Sequence, residues 1–167
     1  DGNQANMGGS TQGSTYCLLV MPAANYQNWT NVTVKNCTHT GVEFSIGGSP
    51  TYTVSTGHQI TNFQVKNNAG LGLELNGTTF STISNCNIDA NGYGFQKSAP
   101  FPINRSIAAG TNQAFNAALR FEAHDITFSN CLFNNGGRDG LNFNQGTHNI
   151  LVVNSEANFN GDGGFTG

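Results

Sequence analysis

Charged side chains make up only 9% of this 167-residue chain, so the places where they gather stand out. Arg120, Glu122, His124 and Asp125 lie within six consecutive positions. Two residues at i and i+2 of one strand face the same way, about 7 Å apart. A carboxylate beside an arginine and a histidine can abstract the proton next to a uronate carboxyl group, while the guanidinium binds that carboxylate. We therefore take Arg120, Glu122 and His124 as candidate catalytic residues, with Tyr93 added on grounds given below. The plainer alternative is a surface ion pair between Arg120 and Glu122, worth little, with His124 capping the next turn. Glu43 and Glu74 form a second candidate pair. Paired carboxylates serve acid/base work or hold Ca²⁺, and two like charges stacked side by side carry a cost that favours a use for them. Lys35 and Lys66 show the same spacing and can balance that field.

Other polar residues suit binding. Gln96, Asn142 and Asn144 are expected beside the charged group, and Asp139 sits at a turn. With Glu43 and Glu74 they form the candidate substrate-binding set. Arg138 and Asp162 are expected to pair as a structural salt bridge. The four cysteines (Cys17, Cys37, Cys86, Cys131) are widely spaced with no CxxC, which argues against zinc. No metal or other cofactor is expected; Ca²⁺ is conceivable chemically but has no motif behind it. Net charge is −3 with six basic residues, which disfavours nucleic acid as a partner. No apolar run approaches the length of a membrane span.

A repeat positions these groups. Gly (22) and Asn (25) together exceed a quarter of the chain, a mixture that opposes helices and favours turns. Val32-Thr-Val34-Lys35-Asn36 followed by Gly41-Val42-Glu43-Phe44 matches Phe63-Gln-Val65-Lys66-Asn67 followed by Gly72-Leu73-Glu74-Leu75. Cys131-Leu-Phe133-Asn134-Asn135 and Gly140-Leu141-Asn142-Phe143 repeat the spacing. Phase markers at Val20, Val42, Leu73, Phe95, Leu119, Leu141 and Phe165 step by 22, 31, 22, 24, 22 and 24. The long step holds Gly47-Gly48-Ser49-Pro50, so a surface loop is expected at about 46–56; Pro100 and Pro102 make 98–117 an irregular turn. Within each repeat apolar residues alternate with period two, the strand period. Asn31, Asn62, Asn85, Asn130 and Asn154 fall at one turn position, where Asn tolerates the left-handed conformation and bonds to identical neighbours. The Gly before each marker supplies either φ > 0 or a close approach.

The pattern predicts an all-β fold: a parallel β-helix of about seven coils of 22–24 residues, three short strands per coil, in one domain over 1–167. In that frame Cys86 and Cys131 share an inward column two coils apart, about 9.6 Å. That is beyond disulfide reach, so the cysteines are expected as buried thiols. Asp1-Gly2-Asn3 as an opening and Gly164-Phe165 at the end read as a piece of a longer protein.

The repeat resembles the right-handed parallel β-helix of the pectin-lyase-like superfamily over nearly the whole chain. Within that group Asp1-Gly2-Asn3, Gly92-Tyr93-Gly94-Phe95 and Asn134-Asn135-Gly-Gly-Arg138-Asp139-Gly140-Leu141 look most like mannuronan (alginate) C-5 epimerases. Those enzymes follow Gly-Tyr-Gly-Phe with Asp-Pro-His-Glu; here Gln96-Lys97-Ser98-Ala99 follows, so Tyr93 carries over and the catalytic Asp and His do not. The resemblance implies an extracellular or surface protein that binds or modifies a polysaccharide as a lyase, epimerase or hydrolase. A different class is a structural or adhesive solenoid (tail-spike segment, adhesin stalk or filament subunit), whose coils continue in a parent protein or stack end to end between copies.

Overall fold

The computed structural model describes residues 16–37, 40–46, 53–68, 70–92, 117–120, 122–144 and 146–167. Strand alternation and turn chemistry build fifteen strands there, numbered β1 to β15 in chain order, and every pairing between them is parallel. They wind into a parallel β-helix with three sheets. Sheet A stacks β1 (Tyr16–Val20), β4 (Thr40–Phe44), β8 (Leu73–Asn76), β11 (Ala117–Arg120), β13 (Leu141–Phe143) and β15 (Phe165–Thr166). Sheet B stacks β2 (Asn28–Thr30), β6 (Gln59–Thr61), β9 (Thr78–Ser84), β12 (His124–Ser129) and β14 (His148–Val153), with β5 (Ser55–Thr56) also against β9. Sheet C holds β3 (Thr33–Lys35), β7 (Gln64–Lys66) and β10 (Asn87–Asp89), and single bridges at Leu132 and Glu156 carry it two rungs further.

The inward residues of all three sheets form one apolar column. Val42, Leu73, Ala117 and Leu141 lie in file on sheet A and are fully buried. Ile60, Ile83 and Phe128 do the same on sheet B, and Val65, Ile88 and Phe133 on sheet C. Aromatic rings fill the widest layers: Trp29 meets Phe44 at 5.4 Å, and Phe128 meets Phe133 edge-on at 5.5 Å. Burying such a ring contributes about 1.5–3 kcal/mol.

The corners follow from residue chemistry. Between sheets B and C, Asn31, Asn62, Asn85, Asn130 and Asn154 all take φ between 48° and 59°, as the sequence predicts. Asn62 Nδ2 donates to Asn31 Oδ1 (3.0 Å), and Asn130 Nδ2 donates to Asn85 Oδ1 (3.3 Å). After sheet C a second, buried ladder forms. Asn68 N–H and Nδ2 donate to Asn91 Oδ1 at 3.1 and 2.8 Å, and Asn91 Nδ2 donates to Val65 O at 2.9 Å. The glycine before the marker serves close approach: a Cβ on Gly140 would lie 2.6 Å from Gly164 O and 2.9 Å from Ala157 Cβ.

The register departs from expectation in three ways. β8 pairs directly with β11, Leu73 opposite Ala117, so no rung lies between them. Phe95 and the irregular turn at 98–117 fall largely outside the described residues, as do 47–52 of the expected loop. Leu18 and Ala117, not Val20 and Leu119, stand in the marker file with Val42. The slip is two residues, so it preserves which side faces the core. The cysteines are corrected outright. With β9 and β12 adjacent, Cys86 and Cys131 are one rung apart, their Cα atoms 4.4 Å from each other, and they form a disulfide. Cys17 and Cys37 form a second, with Cα atoms 5.9 Å apart. No described cysteine is free.

Candidate functional site

The outer face of sheet A presents Leu19, Glu43, Glu74, Ala118, Asn142 and Thr166 in one file. Glu43 and Glu74 are direct neighbours across β4 and β8. Adjacent rungs are about 4.8 Å apart. Glu43 is half-buried, whereas Glu74 is only 8% exposed although it points away from the core. Leu71 and Ala118, close by on this side, form a small buried cluster of their own, so this stretch of the face is shielded from water. Two carboxyl groups in contrasting surroundings at one place are what acid/base chemistry requires.

Farther along the same face a polar group gathers around Asn142. Its Nδ2 donates to Thr166 Oγ1 at 3.0 Å and reaches Asp139 Oδ2 at 3.5 Å. Asn144 Nδ2 donates to Asn142 Oδ1 at 3.1 Å. Asp139 is buried and accepts the Gly163 N–H at 3.1 Å. The structure thus brings Asn142, Asn144 and Asp139 together, two rungs from the glutamates. Arg138 pairs with Asp162 at 3.2 Å in the adjoining rung, the salt bridge expected from the repeat.

The Arg120, Glu122 and His124 group does not assemble as one strand face. β11 ends at Arg120; Glu122 turns the chain at φ 61°, and His124 opens β12 in sheet B. A corner separates β11 from His124 in sheet B, so the i, i+2 argument, which needs one continuous strand, fails there. By register the Arg120 backbone stands beside Asn76 and Asn144, not in the file of Asn142. The exposed Glu122 lies against Gly146 of the next rung, where a glycine Cβ would come 2.6 Å from Glu122 Cγ. Tyr93, Gln96 and the Arg120 side chain lie outside the described residues.

His124 belongs instead to a cluster the sequence reading missed. Its Nδ1–H donates to Asp125 Oδ2 at 2.7 Å, and Asn149 Nδ2 donates to Asp125 Oδ1 at 3.2 Å. The His124 hydrogen bond, with help from Asn149 and the two nearby imidazoles, holds the Asp125 carboxyl below its ordinary range. The His124 ring stacks on His148 at 4.6 Å and meets Phe80 edge-on at 5.5 Å. The signal was available: His124 and His148 are 24 residues apart, one repeat step.

Inside the same corner, two rungs earlier, His58 is fully buried against Phe44, with ring centroids 4.8 Å apart. Its Nδ1 accepts the Gln27 N–H at 3.2 Å, and burial pushes its pKa down. His58 Nε2, Ser55 Oγ, Asn76 Oδ1 and Thr78 Oγ1 are buried without a hydrogen-bond partner. Among the described residues no three His, Cys, Asp or Glu side chains are arranged to hold a metal ion.

A family model for the right-handed beta-helix region matches residues 18–166, nearly the entire chain and all of the stack just described but the first residues of β1. The chain belongs to the right-handed beta-helix family. Comparison with curated proteins and with solved structures finds no match. Membership explains why this beta-helix carries its polar groups in files: each outward position recurs once per rung, so neighbours in a file are neighbours in space.

Proposed function

We propose that this beta-helix binds and modifies a polysaccharide along the outer face of sheet A. Glu43 and Glu74 act there as an acid/base pair, and Asn142 and Asn144, the first held by the buried Asp139, hydrogen-bond the polymer further along. The observation that carries the reading is the direct pairing of a half-buried and a shielded glutamate on one outer face. A separation near one rung suits two carboxylates flanking a glycosidic bond, one giving a proton to the leaving oxygen and the other attacking the sugar carbon. This favours hydrolysis over proton abstraction by a lyase or epimerase, for which Arg120 and His124 would have to gather at the glutamates. The likeness to alginate epimerases supports the polymer class, and the two disulfides support an oxidising compartment such as the cell exterior.

The test is incubation with alginate, pectate and neutral glucans, reading new reducing ends, double-bond absorbance and epimerisation. New reducing ends are expected, lost at least a hundredfold in Glu74→Gln and Glu43→Gln. Turnover that survives both substitutions overturns the assignment, and double-bond absorbance in place of reducing ends replaces hydrolysis with elimination.

A second reading, a stalk or filament in which copies stack end to end, draws on the terminal rungs. The first described rung leaves a depression of about 440 Å³ lined by residues such as Leu18, Val20, Trp29 and Val32. Sedimentation that shows a monomer at all concentrations removes it.

A further inference from the structure

The corner where the chain enters sheet B carries a file of rings that the sheet A reading does not use. Tyr26, Gly57, Phe80, Asp125 and Asn149 are equivalent residues of five successive rungs, each with φ between 47° and 75°. Gly, Asp and Asn adopt this left-handed conformation at low cost; a bulky aromatic residue there is an outlier. Tyr26 (φ 56°) and Phe80 (φ 47°) hold it while 76% and 62% exposed. Neither ring therefore repays the backbone cost by entering the core. Strain kept at a surface position points to a use.

The rings are also arranged. Tyr26 lies over Gly57, whose Cβ would sit 2.5 Å from Tyr26 Cδ1. Phe80 leans on His124, and His124 stacks on His148. The rings thus follow the solenoid axis in two neighbouring files, Tyr26 and Phe80 in one and His124 and His148 in the next, over about 19 Å at rung spacing. Asp125 and Asn149, hydrogen-bonded to each other, continue the file of Tyr26 and Phe80 with polar groups beside the two imidazoles.

We propose that these two files form a binding strip for a linear glycan running parallel to the solenoid axis. Sugar rings present a C–H face to an aromatic ring and hydroxyl groups at their rim. A narrow strip of rings with amide and carboxylate groups beside it matches that alternation; a protein partner would call for a broader apolar patch. Tyr26 and Phe80 stand two rungs apart, about 9.6 Å, close to the length of one disaccharide of an extended chain. The strip holds polymer on a different face from Glu43 and Glu74. It rests on the polysaccharide reading for ligand class but not on the catalytic assignment.

Affinity electrophoresis of the full chain in gels containing alginate, polygalacturonate or hydroxyethyl cellulose tests it. At least one polymer should retard the protein. Phe80→Asn and Tyr26→Asn should each weaken retardation about tenfold, while their urea midpoints stay level or rise because Asn suits the backbone. Phe80→Leu, which keeps the bulk, should weaken binding as much as Phe80→Asn. No retardation by any of the three polymers overturns the strip, as does equal retardation of wild type and the Tyr26→Asn/Phe80→Asn double variant. A protein that is retarded but turns over nothing loses the catalytic reading and keeps the strip. One that cleaves the polymers while the ring variants bind unchanged does the reverse.

Discussion

Asn91 is the residue whose removal should cost this fold most per atom deleted. It is fully buried, and its hydrogen bonds include those accepted from Asn68 N–H (3.1 Å) and Nδ2 (2.8 Å) and one donated to Val65 O (2.9 Å). Asn91→Ala strands the two Asn68 donors in the interior and removes one of the bonds to Val65 O. Each stranded group costs about 1–3 kcal/mol, and some relaxation is expected, so the loss should be about 4 kcal/mol. With a urea slope of about 2 kcal/mol/M, the midpoint of unfolding should fall by about 2 M. Asn62 is the control. It also turns a corner, at φ 53°, but it is exposed and its described side-chain bond is to Asn31 at 3.0 Å. Asn62→Ala should cost about 1–2 kcal/mol, because Ala keeps the Cβ in the left-handed region and loses the polar side chain that offsets it, and Asn62→Gly about zero. Urea titrations followed by far-ultraviolet circular dichroism measure all three. If Asn91→Ala falls within 1 kcal/mol of Asn62→Ala, burial of the ladder is not what holds that corner.

Two further outcomes follow from the core. Opening the Cys86–Cys131 bridge in a Cys86→Ala/Cys131→Ala variant frees a loop spanning 45 residues and should cost about 4 kcal/mol, against about 3 for the 20-residue Cys17–Cys37 pair. Wild type unfolded in guanidinium with reductant should match the variant lacking both bridges. His58 has its folded pKa below the unfolded value near 6.5. The unfolded chain therefore binds the extra proton first, and stability should be full above about pH 6.5 and decline as pH falls from there toward the folded pKa. His58→Gln should flatten that decline in a pH series of melting temperatures.

What the sequence shows best is whatever a single residue type enforces. Five Asn at one turn position foretell a left-handed corner because few other side chains take φ > 0 cheaply. The Gly140 corner is legible for the same reason: no side chain fits it. Period-two alternation yields the core side of every strand, and the equal spacing of Lys35-to-Glu43 and Lys66-to-Glu74 brings the two glutamates together. What is harder to read is which rung follows which. Gly94-Phe95 has the form of a marker, yet the stack closes from Leu73 to Ala117 without it. Spacing along the chain cannot report that, because pairing partners in a parallel sheet are chosen in space. The same miscount put Cys86 and Cys131 a rung too far apart. It also drew Arg120, Glu122 and His124 onto one face when a corner divides them. Phe80 and Tyr26 were invisible for the opposite reason: an aromatic residue is the last type a left-handed position suggests.

All of the pairings among the described strands are parallel, and none joins near neighbours in the chain. Paired positions are separated by 23 residues at the least, as from Gln64 to Asn87, and by as many as 45 from Thr79 to His124. Among the described strands no hairpin can therefore start the fold, and their first rung pair must close a large loop before any ladder rewards it. Once two rungs are in place each new one adds against a finished edge, so assembly should be slow to begin and quick to extend, like a zip that needs its first teeth set by hand.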